Sequence, residues 1–317
     1  MRKLIIGIVI LLVLSILLAI GFGGNYLYNL AINPNVSKDM VFNSATNNVK
    51  QEETSGNRNS ESKSWLENES NYNDVYLELK DNLKLHNYEI INENPTDKWV
   101  IAVHGYTSNG EGMESYGEKF YDMGYNVMLP DLRGHGESEG NYIGMGWDDR
   151  EDIINLINYI VSKNENAEIV LFGVSMGAAT VMMVSGEELP TNVKAIVEDC
   201  GYTSAWDQFS YQLKVLFNLP EFPMMQAANI ICKIRAGYFI SDANALEQVE
   251  KSVTPMLFIH GDEDAFVPFT MEEELYEACN SEKEKVVIEG AAHAKASSVN
   301  PELYWNSISE FLDKYVN

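Results

Sequence analysis

The stretch that most constrains this chain is Gly173-Val174-Ser175-Met176-Gly177, because of what stands on either side of it. An apolar, β-prone run from Glu168 to Phe172 precedes it, and a helical pattern from Ala178 to Met182 follows it. A serine between two glycines at a strand-to-helix junction is typical of a tight, strained turn that exposes the serine oxygen. The first amides of the helix would favour negative charge at the same place. The sequence therefore predicts a nucleophilic Ser175.

Short apolar runs alternate with helical patterns over most of the chain. Two alternating runs joined by Asp81-Asn82 predict a hairpin, and the later continuous runs predict strands buried on both faces. The predicted strands are Val75–Leu79, Leu83–Tyr88, Trp99–Val103, Val127–Leu129, Ile169–Phe172, Val193–Val197, Met256–Ile259 and Val286–Ile288. The helical patterns lie at Glu114–Met123, Trp147–Lys163, Met176–Glu187, Thr270–Cys279 and Pro301–Tyr315. This alternation predicts an α/β fold with a mostly parallel sheet of these eight strands and helices on both faces.

A stretch from Thr203 to about Val249 interrupts the alternation between two predicted strands. It is rich in aromatic residues and methionine, carries no strand signal, and is too long for a simple crossover. It therefore predicts a small helical cap over the site. Most of its apolar side chains are expected to pack the cap onto the sheet, and a few to line a substrate pocket.

The N-terminus carries an apolar stretch from Leu4 to Phe22 in which Ser15 is the only polar side chain. A helix of that length can cross the hydrocarbon core of a bilayer. Arg2 and Lys3 precede the stretch, and the next basic residue is Lys38. The positive-inside rule then predicts a cytosolic N-terminus, with the rest of the chain outside the cell. The sequence thus predicts a single-pass protein of the cell membrane, held by an uncleaved signal-anchor.

A cleaved signal peptide is the alternative, because Ala19-Ile20-Gly21 offers a possible small-x-small cleavage site. The apolar stretch is longer than that of most signal peptides, which favours the anchor. Residues 33–71 are rich in Asn, Ser, Glu and Lys and predict a flexible polar tether. The predicted organisation is a transmembrane anchor at 1–32, the tether at 33–71, and a main domain at 72–317 with its cap at about 203–249.

Charge and cysteine content exclude some partners. The chain of 317 residues carries 22 basic and 47 acidic side chains, a net charge of −25, which argues against nucleic acid and against anionic headgroups as partners of the main domain. Cys200, Cys232 and Cys279 lie far apart without a C-x-x-C pair, so a zinc site or a disulfide framework is not expected. They are predicted to be buried, small apolar side chains, with a single disulfide as the alternative.

A serine nucleophile needs a base, and the chain offers five histidines, so the base can be sought by elimination. His86 lies in the predicted hairpin and His135 in a loop. His104 and His260 lie at strand ends. The chain order serine, acid, histidine, which accompanies a serine on such a turn, selects His293, just past the last predicted strand.

The orienting acid should lie on the loop after the penultimate strand, Gly261–Pro268, which offers Asp262, Glu263 and Asp264. Asp264 is preferred by its position in the motif, since Asp262 follows the strand too closely. Asp199, at the end of the strand after the nucleophile helix, is the alternative. The acidic cluster lacks the glycine and ligand spacing of an EF-hand, so a calcium loop is not expected.

A tetrahedral oxyanion needs two donors. The N–H of Met176, directly after the nucleophile, should be one of them. The loop after the Trp99–Val103 strand should supply the other, with Tyr106 N–H as the candidate. Gly105 would permit the close turn, and the side chain of His104 would brace the loop rather than act on the substrate.

Over about Val75 to Tyr315 the chain resembles the α/β-hydrolase superfamily. Within it, the chain looks like membrane-anchored hydrolases of Gram-positive bacteria, a group with serine aminopeptidase-like and acyl-thioesterase-like members. The motifs that carry the resemblance are the N-terminal span, His104-Gly105, Asp131 to Gly136 with Ser138, Gly173 to Gly177, the turn from Asp199 to Ser204, His260 to Pro268, and His293. One departure from lipase-type members is the single glycine of the 104–106 loop in place of a glycine run, which argues against large, branched acyl groups.

The resemblance implies the α/β-hydrolase fold, and with it a hydrolase in which Ser175, Asp264 and His293 are catalytic. An ester or thioester with an apolar acyl group is the expected substrate, because alkoxides leave more easily than amines. Water would resolve the acyl-enzyme, so neither a cofactor nor a metal is expected. The expected partners are a small acyl substrate and the membrane. A peptidase or amidase of the serine aminopeptidase type is the alternative, followed by an inactive binding or scaffold protein on the same fold.

Overall fold

The computed structural model describes residues 2–41, 64–79 and 81–316. An eight-stranded sheet lies at its centre, in the order β1-β2-β4-β3-β5-β6-β7-β8. The strands are β1 (Asn73–Glu78), β2 (Lys84–Ile90), β3 (Lys98–Val103), β4 (Asn126–Pro130), β5 (Glu168–Val174), β6 (Val193–Asp199), β7 (Met256–Gly261) and β8 (Lys283–Ile288). The prediction of a mostly parallel sheet is confirmed, since only the β1–β2 and β2–β4 pairs are antiparallel.

Helices connect the parallel strands. The α-helices that lie wholly within the described residues are α1 (Arg2–Ala31), α2 (Trp65–Asn68), α3 (Glu114–Asp122), α4 (Trp147–Lys163), α5 (Met176–Ser185), α6 (Ala205–Phe217), α7 (Met224–Ala236), α8 (Ala245–Val249), α9 (Phe269–Ala278), α10 (Ala296–Val299) and α11 (Pro301–Leu312). The helix ends differ from the sequence patterns by a few residues, and β8 begins at Lys283, before the predicted Val286. As an edge strand, β8 is only half-buried, and its first residues are therefore polar and give no apolar signal.

The core lies on both faces of the sheet, because successive side chains of a strand point to opposite sides. Ile101 of β3 and Leu171 of β5 belong to the layer that also holds Leu156 of α4. Phe172, the next residue of β5, points to the other layer, where it packs with Phe120 of α3. Both faces of the central strands are therefore covered by helices, as the continuous apolar runs predicted.

The N-terminal helix α1 has two unlike parts. From Leu4 to Phe22 its side chains are almost all exposed, and it is the one helix of the described residues that is long and apolar enough to cross a membrane. The last turns, in contrast, pack onto the rest of the protein, with Tyr28 only 2% exposed. The sequence pattern predicted the apolar part but not this contact.

The predicted tether at 33–71 is described only at its two ends, because residues 42–63 lie outside the described part of the chain. On the near side, Nζ of Lys38 donates hydrogen bonds to the carbonyl oxygens of Asn29 and Asn33, at 3.2 and 2.7 Å. On the far side, the side chain of Trp65 is buried.

The segment between β6 and β7 is helical, and we call its residues 203–249 the cap. It contains α6, α7, a short 3₁₀ turn at Ile240–Asp242, and α8. Leu213 of α6 and Met225 of α7 are buried on the inner face of the cap, over the carboxyl ends of the strands. The cap thus covers the edge of the sheet where the loops after β3, β5, β7 and β8 meet.

Candidate active site

Ser175 stands between β5 and α5 with φ 57° and ψ −115°, a backbone conformation that L-residues rarely adopt. Such a conformation costs on the order of 1–3 kcal/mol and persists only where the surroundings impose it. The N–H of Ser175 donates to the carbonyl oxygen of Asp199 on β6, at 2.8 Å. The turn therefore holds the serine at the end of the sheet, where α5 begins with Met176.

The two glycines of the motif are required by close backbone contacts. A β-carbon on Gly173 would overlap the carbonyl group of Gly177, and one on Gly177 would overlap the carbonyl oxygen of Val103. The strand and the helix can therefore approach each other, and approach β3, only without side chains at these positions. This packing explains why glycine precedes and follows Ser175 at this spacing.

His293 lies in the loop after β8 and meets the serine directly. Its Nε2 is 2.9 Å from Oγ of Ser175, and its Nδ1 is 2.7 Å from Oδ2 of Asp264, in the loop after β7. The chain is thus folded so that a hydroxyl, an imidazole and a carboxylate stand in hydrogen-bonded order. A base placed in this way can take the serine proton while the carboxylate holds the ring and stabilises its positive charge.

Asp264 is buried, with 6% of its surface exposed, yet it is held in its charged form. Its Oδ1 accepts hydrogen bonds from the N–H groups of Phe266 and Val267, both at 2.8 Å. Nε2 of His260 lies 3.3 Å from its Oδ2. Although burial alone would raise the pKa of Asp264, the charge of His293 and the hydrogen bonds of both histidines lower it well below its usual range.

The structure places the other candidate acids elsewhere. Oδ2 of Asp199 accepts a hydrogen bond from the hydroxyl of Tyr304 at 2.8 Å, and burial raises the pKa of Asp199 to about 6. Oδ1 of Asp262 accepts a hydrogen bond from the N–H of Gly290 at 2.6 Å. Glu263 is exposed at the surface. Of the acids considered from the sequence, Asp264 is the one hydrogen-bonded to the imidazole.

The loop after β3 lies against the serine. A β-carbon on Gly105 would be 3.4 Å from Cβ of Ser175, and Tyr106 and Met176 both line the cavity in front of it. His104 braces this loop, as predicted, because its Nε2 accepts from the N–H of Leu132 at 3.0 Å while its Nδ1 donates to the carbonyl oxygen of Gly105 at 2.8 Å. Burial lowers the pKa of His104 to about 3, so the ring stays neutral.

The remaining histidines serve other loops. His86 lies between two carboxylates, with Nδ1 at 2.8 Å from Asp131 and Nε2 at 3.0 Å from Asp74. Asp131 in turn accepts hydrogen bonds from the N–H groups of Gly110 and Glu137, at 2.6 and 2.8 Å. The Asp131–Gly136 motif therefore holds the loops beside the site in place, and it takes no part in the proposed reaction.

Among the residues that the structure describes, Cys200 is the one further possible metal ligand beside these groups, since its sulfur lies within 4.8 Å of ligand atoms of Asp264 and His293. Both ring nitrogens of His293 are already engaged, however, one by the carboxylate and one by Ser175. Burial raises the pKa of the Cys200 thiol well above its ordinary value, so the thiolate that metals require is disfavoured. The donor set therefore does not fit a metal. All three cysteines are buried and unpaired.

Two buried glutamates lie behind the loop Gly261–Pro268, which carries Asp264 and which we call the acid loop, and they were not singled out from the sequence. Burial raises the pKa of Glu198, on β6, well above its ordinary value, and the nearby Glu272 of α9 adds to this. Burial likewise raises the pKa of Glu272 to about 8. His260 faces Glu198 and Asp264, which raise its pKa against the opposing effect of burial. The signal available in the sequence was His260 itself, four residues before Asp264.

A cavity that opens to solvent lies in front of Ser175, and the space within it and at its mouth together amounts to about 780 Å³. Its walls are almost entirely apolar and come from the cap, with Phe209 and Leu213 among them, and from the acid loop, with Phe266. Part of the wall comes from Leu27 and Leu30 of α1, although the sequence pattern predicted that α1 serves as the anchor alone.

Comparisons with known proteins give a matching family and two relatives. The family described as "Serine aminopeptidase, S33" matches residues 94–222, which include Ser175. The uncharacterized protein YqkD of Bacillus subtilis is 30% identical over 219 residues, which are 69% of this chain and 72% of that protein. An uncharacterized membrane protein of Saccharomyces cerevisiae is 25% identical over 242 residues, which are 76% of this chain and 79% of that protein.

Among solved structures, an esterase of Pyrococcus furiosus superposes with a TM-score of 0.64 at 25% sequence identity. The alignment covers 78% of this chain and 92% of that one. Almost the whole esterase is therefore matched by this chain. The unmatched part of the present chain is similar in length to its N-terminal helix together with the segment that follows it.

Proposed function

The chain belongs to the α/β-hydrolase superfamily, and we propose that within it the protein is a serine hydrolase that cleaves carboxylic esters or thioesters with an apolar acyl group. The observation that carries this proposal is the hydrogen-bonded series from Ser175 Oγ through His293 to Asp264, which opens into an apolar cavity. The family and structural relatives support a serine hydrolase in general; the ester specificity is our inference from the cavity.

In the proposed mechanism, Oγ of Ser175 attacks the substrate carbonyl carbon while Nε2 of His293 takes its proton. Asp264 holds the ring and stabilises the imidazolium. The N–H groups of Tyr106 and Met176 hold the oxyanion of the tetrahedral intermediate. His293 then gives its proton to the leaving alkoxide or thiolate. Water, activated by the same histidine, attacks the acyl-enzyme and releases the acid and free Ser175.

The walls of the cavity favour an ester over a substrate with a free amino group. An aminopeptidase must bind an ammonium group, which calls for a carboxylate in the pocket. Among the described residues that line the cavity, none is acidic, and the polar side chains of the cap wall are Gln208 and Gln212. A peptidase of the serine aminopeptidase type, which the family description suggests, is therefore the second candidate.

We further propose that α1 anchors the enzyme in the cell membrane with its catalytic domain outside. Support comes from the exposed apolar side chains between Leu4 and Phe22, from Arg2 and Lys3 before them, and from the similarity to a yeast membrane protein. A bilayer would cover side chains that water does not stabilise.

The test compares hydrolysis of p-nitrophenyl acetate with that of aminoacyl anilides by the purified full chain. We expect the ester to be cleaved faster by about 100-fold or more in kcat/KM, and Ser175→Ala to lose this activity by about 10⁵-fold. A preference for the anilide would establish the peptidase instead. Binding of acyl ligands without turnover would establish an inactive binding protein.

A further inference from the structure

The last turns of α1, Gly23–Ala31, pack against α7, and we call them the docked segment. A β-carbon on Gly24 would lie 2.6 Å from Cβ of Ala227, so this close approach of the two helices requires glycine. Nη1 of Arg235, on α7, donates hydrogen bonds to Oδ1 of Asn25 and of Asn29, at 2.9 and 3.0 Å. The contact is thus specific in shape and in polar pairing. It fixes the anchor helix to the cap.

A second face of the docked segment forms part of the cavity wall. Leu27, Leu30 and Ala31 are spaced as neighbours on one side of a helix, and all three line the cavity that contains Ser175. The carbonyl oxygen of Ala31 accepts a hydrogen bond from the hydroxyl of Tyr106, at 2.7 Å. The segment is therefore fastened to the loop that carries the proposed oxyanion donor.

The position of the docked segment along α1 places this wall at the surface of the bilayer. The apolar stretch ends at Phe22, which is 76% exposed. At about 1.5 Å per residue, Leu27 lies about 8 Å and Ala31 about 14 Å beyond Phe22 along the helix axis. The headgroup region on each side of a hydrocarbon core is about 5–8 Å thick. The cavity therefore begins at the outer edge of the headgroups.

The cap presents apolar side chains at the same level. Met224, in the first turn of α7, lies beside Gly23, so the loop before α7 faces the membrane end of the docked segment. In that loop Leu219 is 41% exposed and Phe222 is 73% exposed. This patch is continuous with the exposed apolar surface of α1, and a bilayer that surrounds α1 would also cover it.

Resting on the proposed ester hydrolase, we propose that the enzyme takes long-chain acyl lipids from the bilayer surface and that the docked segment of its own anchor forms one wall of the acyl-chain site. The cavity wall and the loop before α7 both adjoin the docked segment, through Leu27 and Leu30 for the wall and through the contact of Met224 with Gly23 for the loop. Leu27 and Leu30 of α1 and Phe217 at the end of α6 line the cavity together with Ser175, so an acyl chain that enters from the bilayer surface would lie between these side chains.

The first test alters the wall at Leu30 in opposite directions. Each buried methylene strengthens binding by about fourfold, so Leu30→Trp, which fills the wall, should lower the ratio of laurate to acetate hydrolysis by about tenfold or more for p-nitrophenyl esters in detergent. Leu30→Ala should instead shift the preferred chain length upward. Because a misfolded protein would not produce opposite shifts, the pair separates a local effect from loss of folding. Unchanged chain-length profiles in both variants would overturn the proposal.

The second test uses two glycines of the same helix in the full chain reconstituted in phosphatidylcholine vesicles that contain a monoacylglycerol. Gly24→Leu should force α1 away from α7 and reduce fatty-acid release by about tenfold or more. Gly21→Leu makes the same substitution where no other atom lies within 4 Å, and it should stay within about twofold of the wild type. Equal rates for the two variants would contradict the proposed wall.

The two proposals fail in different ways. If the wild type does not hydrolyse p-nitrophenyl acetate, or if this hydrolysis does not depend on Ser175, the proposed hydrolase is wrong. If acetate hydrolysis depends on Ser175 but neither the Leu30 pair nor the glycine pair changes the use of long chains, the hydrolase stands and the acyl wall is wrong.

Discussion

The hydroxyl of Tyr106 donates a hydrogen bond to the carbonyl oxygen of Ala31 and so joins the loop after β3 to the end of α1. The carbonyl at a helix C-terminus has no partner within the helix, and this bond supplies one. We expect Tyr106→Phe to lower the free energy of unfolding by about 1 kcal/mol, the net contribution of one such bond. Urea denaturation of the detergent-solubilised chain measures it, and an unchanged midpoint would show that the contact contributes nothing.

Asp264 is proposed to orient and stabilise the imidazole of His293. The contribution of its charge can be measured separately from that of its size. Asp264→Asn keeps the size of the side chain but removes the charge, so kcat should fall by about 10³–10⁴-fold with p-nitrophenyl acetate. Asp199→Asn is the matched control, because Asp199 bonds Tyr304 instead, and it should change kcat by less than about tenfold. Similar losses in both variants would argue that the roles of the two acids are not distinct.

The parts of the site that sequence analysis anticipated are those tied to strand ends. Ser175, Asp264 and His293 follow three different strands of a mostly parallel sheet, and the carboxyl ends of such strands share one edge. Order along the chain was therefore enough to choose His293 among the histidines. The structure brings it into contact with the other two residues, although their catalytic roles are still a proposal.

The docked segment could not be predicted in the same way. Its contacts join residues such as Asn29 and Arg235, which are 206 positions apart, and depend on the shape of two helix surfaces. The one local signal was that polar and aromatic side chains, Asn25 and Tyr28 among them, continue the helical spacing after Phe22. Similarly, the burial of Glu272 depends on the sheet beneath α9. The polar residues next to it in the sequence give no signal of that burial.

Glu272 should make stability depend on pH. Burial raises its pKa to about 8 from an ordinary value of 4.5, so the folded chain keeps a proton that the unfolded chain releases. The free energy of unfolding is therefore expected to fall as pH rises between these two values, by at most about 1.4 kcal/mol per pH unit. The side chain of Glu272→Gln cannot ionise. The free energy of unfolding of this variant should therefore rise, relative to that of the wild type, by about 2 kcal/mol or more between pH 5 and pH 8.

Urea denaturation of both proteins across this pH range provides the measurement. Glu272 is fully buried, and neither of its carboxylate oxygens meets a hydrogen-bond partner within the described ranges 2–41, 64–79 and 81–316. The amide of glutamine therefore breaks no bond that these residues make. Curves for the two proteins that stay parallel from acid to alkaline pH would refute the raised pKa.

The docked segment also predicts what happens when the chain is cut between α1 and the main domain. A protease site inserted within 42–63 should be cleaved from outside intact cells if the domain is extracellular. After cleavage the domain should stay with the membrane, because Gly24 and Arg235 hold α1 to α7 without the covalent link. In Gly24→Leu the cut domain should be released into the medium. Full protection from the protease would contradict the extracellular placement, and release of the wild-type domain would contradict the docking.

Whether Ser175 is an activated nucleophile is tested by reaction of the purified wild-type chain with a fluorophosphonate probe, followed by mass spectrometry of the labelled peptide. We expect one phosphonyl adduct, on Ser175, and no labelling of Ser175→Ala. Labelling of the variant to the same extent as the wild type, or a wild type that does not react, would show that Ser175 is not an activated nucleophile.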